Sequence, residues 1–109
     1  MEESVAMPAP ICVLTYEYVD GMLERRKPHR DGHLDLVRRF AGEGDLALGG
    51  ATGDPPSGAL FVFESESGAI AVAEAFREAD PYVAAGLVVK SRIEPLTVVS
   101  SRPLSPPQP

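Results

Sequence analysis

Ala59-Leu60-Phe61-Val62-Phe63 is an apolar run in which neither the odd nor the even positions carry a polar side chain. Aromatic and β-branched residues in a run of this length predict a strand. A strand in a sheet with one wet face alternates apolar and polar residues, so both faces of this strand are expected to be covered. Helices can cover one face, and a second copy of the chain, packed sheet to sheet, would cover the other. The run therefore predicts a homodimer; the alternative is a monomer with a partly exposed sheet.

The segments on either side of this run predict an α+β fold. His33, Leu36 and Phe40 recur at helical spacing, which indicates one face of a helix. The predicted elements are strand 11–19, helix 31–42 with Asp31 as its N-cap, strand 46–50, strand 59–64, helix 67–79 with Ser67 as its N-cap, and strand 87–99. Pro28 offers an alternative start for the first helix, one turn earlier. Their order, βαββαβ, is typical of a ferredoxin-like plait, in which helices lie on one face of an antiparallel sheet.

The two ends of the chain differ in composition from its middle. Residues 1–10 mix acidic residues, alanine and proline, and residues 100–109 are rich in proline. Neither end carries the periodicity of a packed element, so both are predicted to be flexible tails. Residues 11–99 are predicted to form the single domain between them.

Composition and charge narrow the class of protein. With 16 acidic and 10 basic residues the net charge is −6, which repels polyanions, so no nucleic-acid partner is expected. No apolar stretch approaches the roughly 20 residues that span a bilayer, so no membrane association is expected. Cys12 is the single cysteine, which excludes an intramolecular disulfide and predicts a buried thiol. The acidic start lacks the basic region of a secretory signal, and a cytoplasmic location is expected.

His33 is the first candidate for chemistry, because a neutral imidazole can act as acid or base near neutral pH. It lies on the apolar face of the first predicted helix. Arg30 lies three residues earlier, on the same face if the helix begins that early, and could hold an anionic group by a forked contact. The alternative for His33 is a histidine at the edge of the core, bonded to a backbone carbonyl.

Asp80 is the second candidate, because a carboxylate at a helix C-terminus is disfavoured by the macrodipole and invites a cationic partner such as an imidazolium. Asp80 followed by Pro81 is also a good N-cap for a short turn, and the two interpretations are compatible. Tyr82 would place a hydroxyl close to the same two candidate residues, or its ring would only pack against its neighbours. Gly49 and Gly50 would let a ligand approach the backbone, or would form a tight turn.

No metal or cofactor is predicted. His29 and His33 stand four residues apart, a spacing seen in helical metal pairs, but Pro28 and Gly32 interrupt a regular helix there and no acidic residue completes a known motif. The glycines do not form a phosphate-binding loop.

Four motifs of the chain are similar to those of a known family. They are Arg30-Asp31-Gly32-His33-Leu34, Gly44-Asp45-Leu46 with Gly49-Gly50, Gly58-Ala59-Leu60, and Asp80-Pro81-Tyr82 with Ala85-Gly86-Leu87. In order and spacing these motifs resemble the YciI-like (YCII-related) family over residues 11–99. The chain departs from the family at Gly49-Gly50, where the family usually has glycine-proline, and at Gly32, directly before the histidine.

The resemblance implies a ferredoxin-like fold of the dimeric α+β barrel type that dimerises through its sheet. It implies a pocket in which His33 and Asp80 face each other, with Arg30 on the lining. The expected function is that of a small cofactor-independent lyase, hydrolase or isomerase, in which His33 is the general acid and base and Asp80 orients it. Some family members act in the breakdown of chlorinated aromatic compounds, so a small aromatic or anionic metabolite is expected. The alternatives are a non-catalytic module that binds a small ligand and a dimerisation unit without a ligand.

Overall fold

The computed structural model describes residues 9–107, which form a four-stranded antiparallel sheet with helices. The elements are β1 (Ile11–Tyr18), α1 (Met22–Arg25), a 3-10 helix (Lys27–His29), α2 (Arg30–Gly42), β2 (Leu46–Thr52), β3 (Gly58–Glu64), α3 (Ala69–Ala79), α4 (Pro81–Ala84) and β4 (Val88–Pro95). The strand order is β2-β3-β1-β4. The two long crossovers, through α2 and α3, give the ferredoxin-like plait, and the predicted α+β class is confirmed.

The start of α2 differs from the prediction. The helix begins at Arg30 with His29 as its N-cap, so the prediction of Asp31 at that position was wrong. Arg26 and His29 both have right-handed helical backbone angles, so α1, the 3-10 helix and α2 follow one nearly continuous helical path. Pro28 is tolerated because it stands in the first turn of the 3-10 helix, where a missing N–H costs nothing.

Two other boundaries were also mispredicted. Ser67 does not cap the second long helix, because its hydroxyl bonds the Ser65 hydroxyl at 3.0 Å and the N-cap is Gly68, at φ 128°. The last strand ends at Pro95 rather than at residue 99. Pro95 closes β4, which is an edge strand, and proline is tolerated there because it has no N–H to donate to a neighbouring strand.

The core lies between the sheet and α2 and α3. Leu14 of β1 pairs in register with Phe61 of β3, and both side chains are buried together with Phe63 and Phe76. Burying each such aromatic ring contributes roughly 1.5–3 kcal/mol. Cys12 is fully buried in the same cluster, as predicted.

The opposite face of the sheet is less well covered. Val13 pairs with Val62, and Thr15 pairs with Leu60; all four are half-buried.

No helix within residues 9–107 is both long and apolar enough to cross a membrane. Most of the predicted N-terminal tail lies outside the described residues, whereas residues 100–107 are exposed and without regular secondary structure.

Candidate functional site

Asp80 is positioned by the junction between α3 and α4. The residue before a proline is pushed out of the helical region, and Asp80 accordingly has extended angles, φ −74° and ψ 119°. Its Oδ1 accepts a hydrogen bond from the Tyr82 backbone N–H at 3.0 Å. Asp80 therefore ends one helix and caps the next, which confirms its predicted capping role.

The same carboxylate holds His33, which lies one turn into α2. His33 Nδ1 and Asp80 Oδ1 are 2.8 Å apart, and both residues are buried. An ionised carboxylate only accepts hydrogen bonds, so Nδ1 is the donor in this pair, and in the neutral ring Nε2 is the nitrogen with the lone pair. The alternative of a backbone carbonyl partner for His33 is wrong.

Tyr16 completes the support of the carboxylate. Its hydroxyl donates to Asp80 Oδ2 at 2.8 Å from the middle of β1. Burial, together with the neighbouring Asp80 charge, raises the pKa of Tyr16, so its hydroxyl keeps the proton that it donates. Asp80, fully buried, thus receives three hydrogen bonds, as a buried charge requires.

Aromatic rings fix the plane of the His33 imidazole. The Tyr82 ring stacks on it with centroids 3.9 Å apart and planes 8° from parallel. Phe61 and Phe76 meet the imidazole edge-on at 6.1 and 6.4 Å. These contacts hold the imidazole in one orientation beside the carboxylate.

A cavity of about 260 Å³ opens beside the imidazole. All the residues predicted to contact a ligand line it: Arg30, His33, Gly49, Gly50 and Tyr82. Asp80 lies behind His33 and is not part of the lining. The lining combines polar side chains, such as Arg30 and His33, with apolar ones, such as Phe61 and Val37.

Gly49 and Gly50 do not form a tight turn, because both lie inside β2. A Cβ on Gly49 would lie 2.8 Å from Cδ1 of Phe61, whereas a Cβ on Gly50 would meet nothing within 4 Å. A contact of 2.8 Å is too close for a real Cβ, so glycine is required at Gly49 to seat the Phe61 ring of the cavity wall.

Three polar residues of the site were missed from the sequence: Tyr16, Tyr18 and Arg26. Tyr18 and Arg26 line the cavity, and burial raises the pKa of Tyr18. Tyr16 continues the alternation of buried residues in β1, and Tyr18 follows two residues later on the same face, so the period-2 pattern could have placed both tyrosines on the helix-covered face. Arg26 could have been found by extending the α2 spacing backwards through Pro28.

The next question is whether side chains near the site could ligate a metal ion. Residues 9–107 contain no group of three or more histidine, cysteine or acidic side chains that could hold one. His29 does not line the cavity, so it shares no site with His33.

Comparisons with known proteins identify the family of the chain. The family model described as YCII-related domain matches residues 10–97. No curated protein sequence matches the chain.

Two solved structures are similar in fold. One is 5-chloro-2-hydroxyhydroquinone dehydrochlorinase (TftG) from Burkholderia phenoliruptrix AC1100 in complex with 2,5-dihydroxybenzoquinone, at a TM-score of 0.64 and 22% identity, covering 80% of this chain and 93% of that one. The other is a dimeric ferredoxin-like protein from an uncultured marine organism, at a TM-score of 0.50 and 17% identity, covering 87% of this chain and 91% of that one. At these identities the likeness establishes the fold. With the family match over residues 10–97, the chain belongs to the YCII-related domain family.

Proposed function

We propose that the protein is a small enzyme in which His33 acts as general acid and base and Asp80 holds it in place. The observation that carries the proposal is the buried 2.8 Å contact between His33 Nδ1 and Asp80 Oδ1 beside a cavity. A carboxylate in this position selects the tautomer of the imidazole and stabilises its charged form. Lyase, hydrolase and isomerase chemistry without a cofactor are all within reach of such a pair.

The catalytic step uses the free nitrogen of His33. Nε2 removes a proton from a hydroxyl or an acidic carbon of the substrate, and the resulting imidazolium is stabilised by Asp80 through Nδ1–H. Arg30 on the cavity lining stabilises the negative charge that develops on the substrate. His33 then returns the proton to the product or the leaving group.

A hydroxylated six-membered ring is the substrate class we propose to test first. Tyr82 and Phe61 give the cavity flat aromatic surfaces, and TftG, which shares the fold, is a dehydrochlorinase solved with 2,5-dihydroxybenzoquinone. On 5-chloro-2-hydroxyhydroquinone, His33 would take a hydroxyl proton and deliver it to the chlorine-bearing ring carbon as that hydroxyl becomes a carbonyl. Loss of a second hydroxyl proton would then expel chloride from the same carbon, so that HCl is lost and a hydroxybenzoquinone remains.

The test compares the two histidines of the chain. We expect His33→Gln to lower the rate of chloride release by about 10²-fold or more, the usual contribution of a general acid or base. His29→Gln is the matched control and should keep the wild-type rate, because His29 does not line the cavity. A folded His33→Gln variant with the wild-type rate would refute the proposal.

The cavity also separates the proposal from its alternatives. A dimerisation unit without a ligand has no need of a 260 Å³ cavity beside a buried histidine. A binding module does, and it would be supported if the wild-type protein bound 2,5-dihydroxybenzoquinone but turned over none of a panel of chlorinated phenols and lactones.

We further propose that the protein is a homodimer joined through the open face of the sheet, where Val13, Leu60 and Val62 are half-buried. The similar marine protein is described as dimeric. A cytoplasmic location belongs to the same proposal, since the free thiol of Cys12 suits a reducing compartment.

A further inference from the structure

We propose that Arg26 and Arg30 together form a carboxylate subsite at the mouth of the cavity, so that the substrate is a small ring acid. This inference rests on the proposed function in one respect, that the cavity beside His33 is the substrate site. It adds the chemical class of the substrate and a specificity residue, Arg26, that no motif of the family supplied.

The first support is a helical stripe that changes character along its length. Five residues on the nearly continuous helical path from α1 to α2 line the cavity at intervals of four, three, one and three residues: Arg26, Arg30, His33, Leu34 and Val37. That spacing is the one by which an amphipathic helix faces a core, and apolar side chains normally occupy all of it. Here the first two positions are half-buried arginines, so the stripe is cationic at its start and apolar after His33.

The second support is that the two guanidinium groups have no acidic partner within residues 9–107. Lys27 pairs with Glu24, and Arg38 with Asp35, on exposed surface. Neither Arg26 nor Arg30 makes such a pair in the described part of the chain, and no acidic residue there lines the cavity. Asp80, the nearest acid behind His33, is already bound by Tyr16, His33 and the Tyr82 N–H. Half-buried guanidinium groups of this kind favour an anion from outside, bound through a bidentate contact.

Two tyrosines add hydrogen-bond donors beside the arginines. The Tyr82 hydroxyl is buried and has no hydrogen-bond partner in the described part of the chain, which is unusual for a buried polar group and indicates a missing acceptor. Tyr18 lines the same cavity, and burial raises its pKa, so its hydroxyl remains a donor. Oxygen atoms on a bound ring would accept from these groups.

The remaining wall sets the size and shape of the ligand. Phe61, Leu34 and Val37 are apolar, and Gly49 leaves room beside the Phe61 ring. A volume of about 260 Å³ lies just under the roughly 300 Å³ at which drug-sized ligand sites begin. The cavity therefore fits a single ring that carries its carboxylate towards the two arginines.

The experiment uses two probes of nearly equal shape, salicylate and salicylamide, which differ in charge. Their dissociation constants are measured by calorimetric or NMR titration of the full chain near neutral pH. We expect salicylate to bind at least tenfold more tightly than salicylamide. Arg26→Gln should remove most of that preference while leaving salicylamide binding unchanged, and Arg26→Lys, which keeps the charge, should restore part of it.

Arg25→Gln is the matched control, because it removes the same charge from the neighbouring residue. The side chain of Arg25 is exposed and lies outside the cavity. Equal affinity of the wild type for both probes would overturn the inference, as would the same salicylate affinity in the Arg26→Gln and Arg25→Gln variants. The probe comparison on the wild type decides the matter even if Arg26→Gln does not fold.

The binding readout is independent of turnover. A salicylate preference in a protein that processes no substrate would keep the subsite and remove the proposed catalysis. Chloride release by His33 in a protein without that preference would keep the catalysis and remove the subsite.

Discussion

The Asp80 carboxylate has no cationic side chain bonded to it within residues 9–107 other than His33 when that ring is protonated. A buried carboxylate that lost its hydrogen bonds would cost several kcal/mol, because water cannot replace them. Tyr16, His33 and the Tyr82 N–H supply those bonds from three different elements. The carboxylate that orients His33, the proposed general acid and base, therefore also holds β1, α2 and α4 together.

Tyr16→Phe tests this link between stability and the site. The change leaves the ring in place but removes the 2.8 Å bond to Asp80 Oδ2, and hydrogen bonds to charged groups contribute about 1.5–3 kcal/mol. We expect urea denaturation to show a fall of that size in the free energy of unfolding. Tyr18→Phe is the control, since the Tyr18 hydroxyl makes no side-chain hydrogen bond among the described residues, and equal stability of the two variants would contradict the role of Tyr16.

Alkaline titration gives a second prediction for the tyrosines. Burial raises the pKa of both Tyr16 and Tyr18 above the usual value of about 10. Above that pH the unfolded chain releases protons that the folded chain retains, so the free energy of unfolding is unaffected below about pH 10 and falls as the pH rises further. Near pH 11, while circular dichroism still shows a folded protein, Tyr16→Phe should have the same tyrosinate absorbance as the wild type. In concentrated urea it should have one tyrosinate fewer; a difference already present in the folded state would refute the shift.

At the scale of the element, β2 supplies a wall of the cavity through two adjacent glycines of unequal importance. An Ala methyl at Gly49 would press on the Phe61 ring, while one at Gly50 would point into open space within the chain. Overpacking costs typically about 1–3 kcal/mol, and the loss of glycine's backbone freedom returns up to roughly 1 kcal/mol. Thermal or urea unfolding should therefore show Gly49→Ala less stable than Gly50→Ala. Gly49→Ala should also bind 2,5-dihydroxybenzoquinone more weakly, and equal binding by both variants would show that Phe61 does not shape the site.

The elements whose own residues specify them were predictable from the sequence. The unbroken apolar run of β3 and the spacing of His33, Leu36 and Phe40 in α2 follow from local periodicity. The turn at Asp80 followed from the proline after it. These signals lie within a few residues of the structure that they predict.

The missed features depend on contacts distant in the sequence or on interrupted patterns. Tyr16 and Asp80 are 64 residues apart, so no local pattern relates them. Arg26 belongs to the helical stripe of α2, but Pro28 masks the continuity of the helical path at that point. The end of β4 at Pro95 is set by the length of β1, its partner, since Cys12 pairs with Pro95 at the end of the ladder.

At the scale of the whole molecule, the plait brings the site together on one side of the sheet. β1 lies between β3 and β4, so its buried face carries Tyr16 under the space between α2 and α3. α2 contributes His33 from its beginning, and the end of α3 contributes Asp80. The proposed site therefore lies within one chain, on the helix-covered face, and leaves the other face of the sheet free for association.

That separation gives the last prediction. Val62 lies at the centre of the open face, paired with Val13 of β1 and with Leu48 of β2. A lysine at this position would place a charge inside a sheet-to-sheet interface, where desolvation would cost several kcal/mol. We expect light scattering after gel filtration to give the wild type a mass of twice 11.6 kDa and Val62→Lys the mass of a single chain. Leu23→Lys, a charge added to an exposed apolar residue of α1, is the control and should remain dimeric. A wild-type protein that is monomeric at tens of micromolar would end the dimer proposal. If Val62→Lys is monomeric yet still binds salicylate in preference to salicylamide, the site is complete in one chain, as its residues in α2, β2 and α4 indicate.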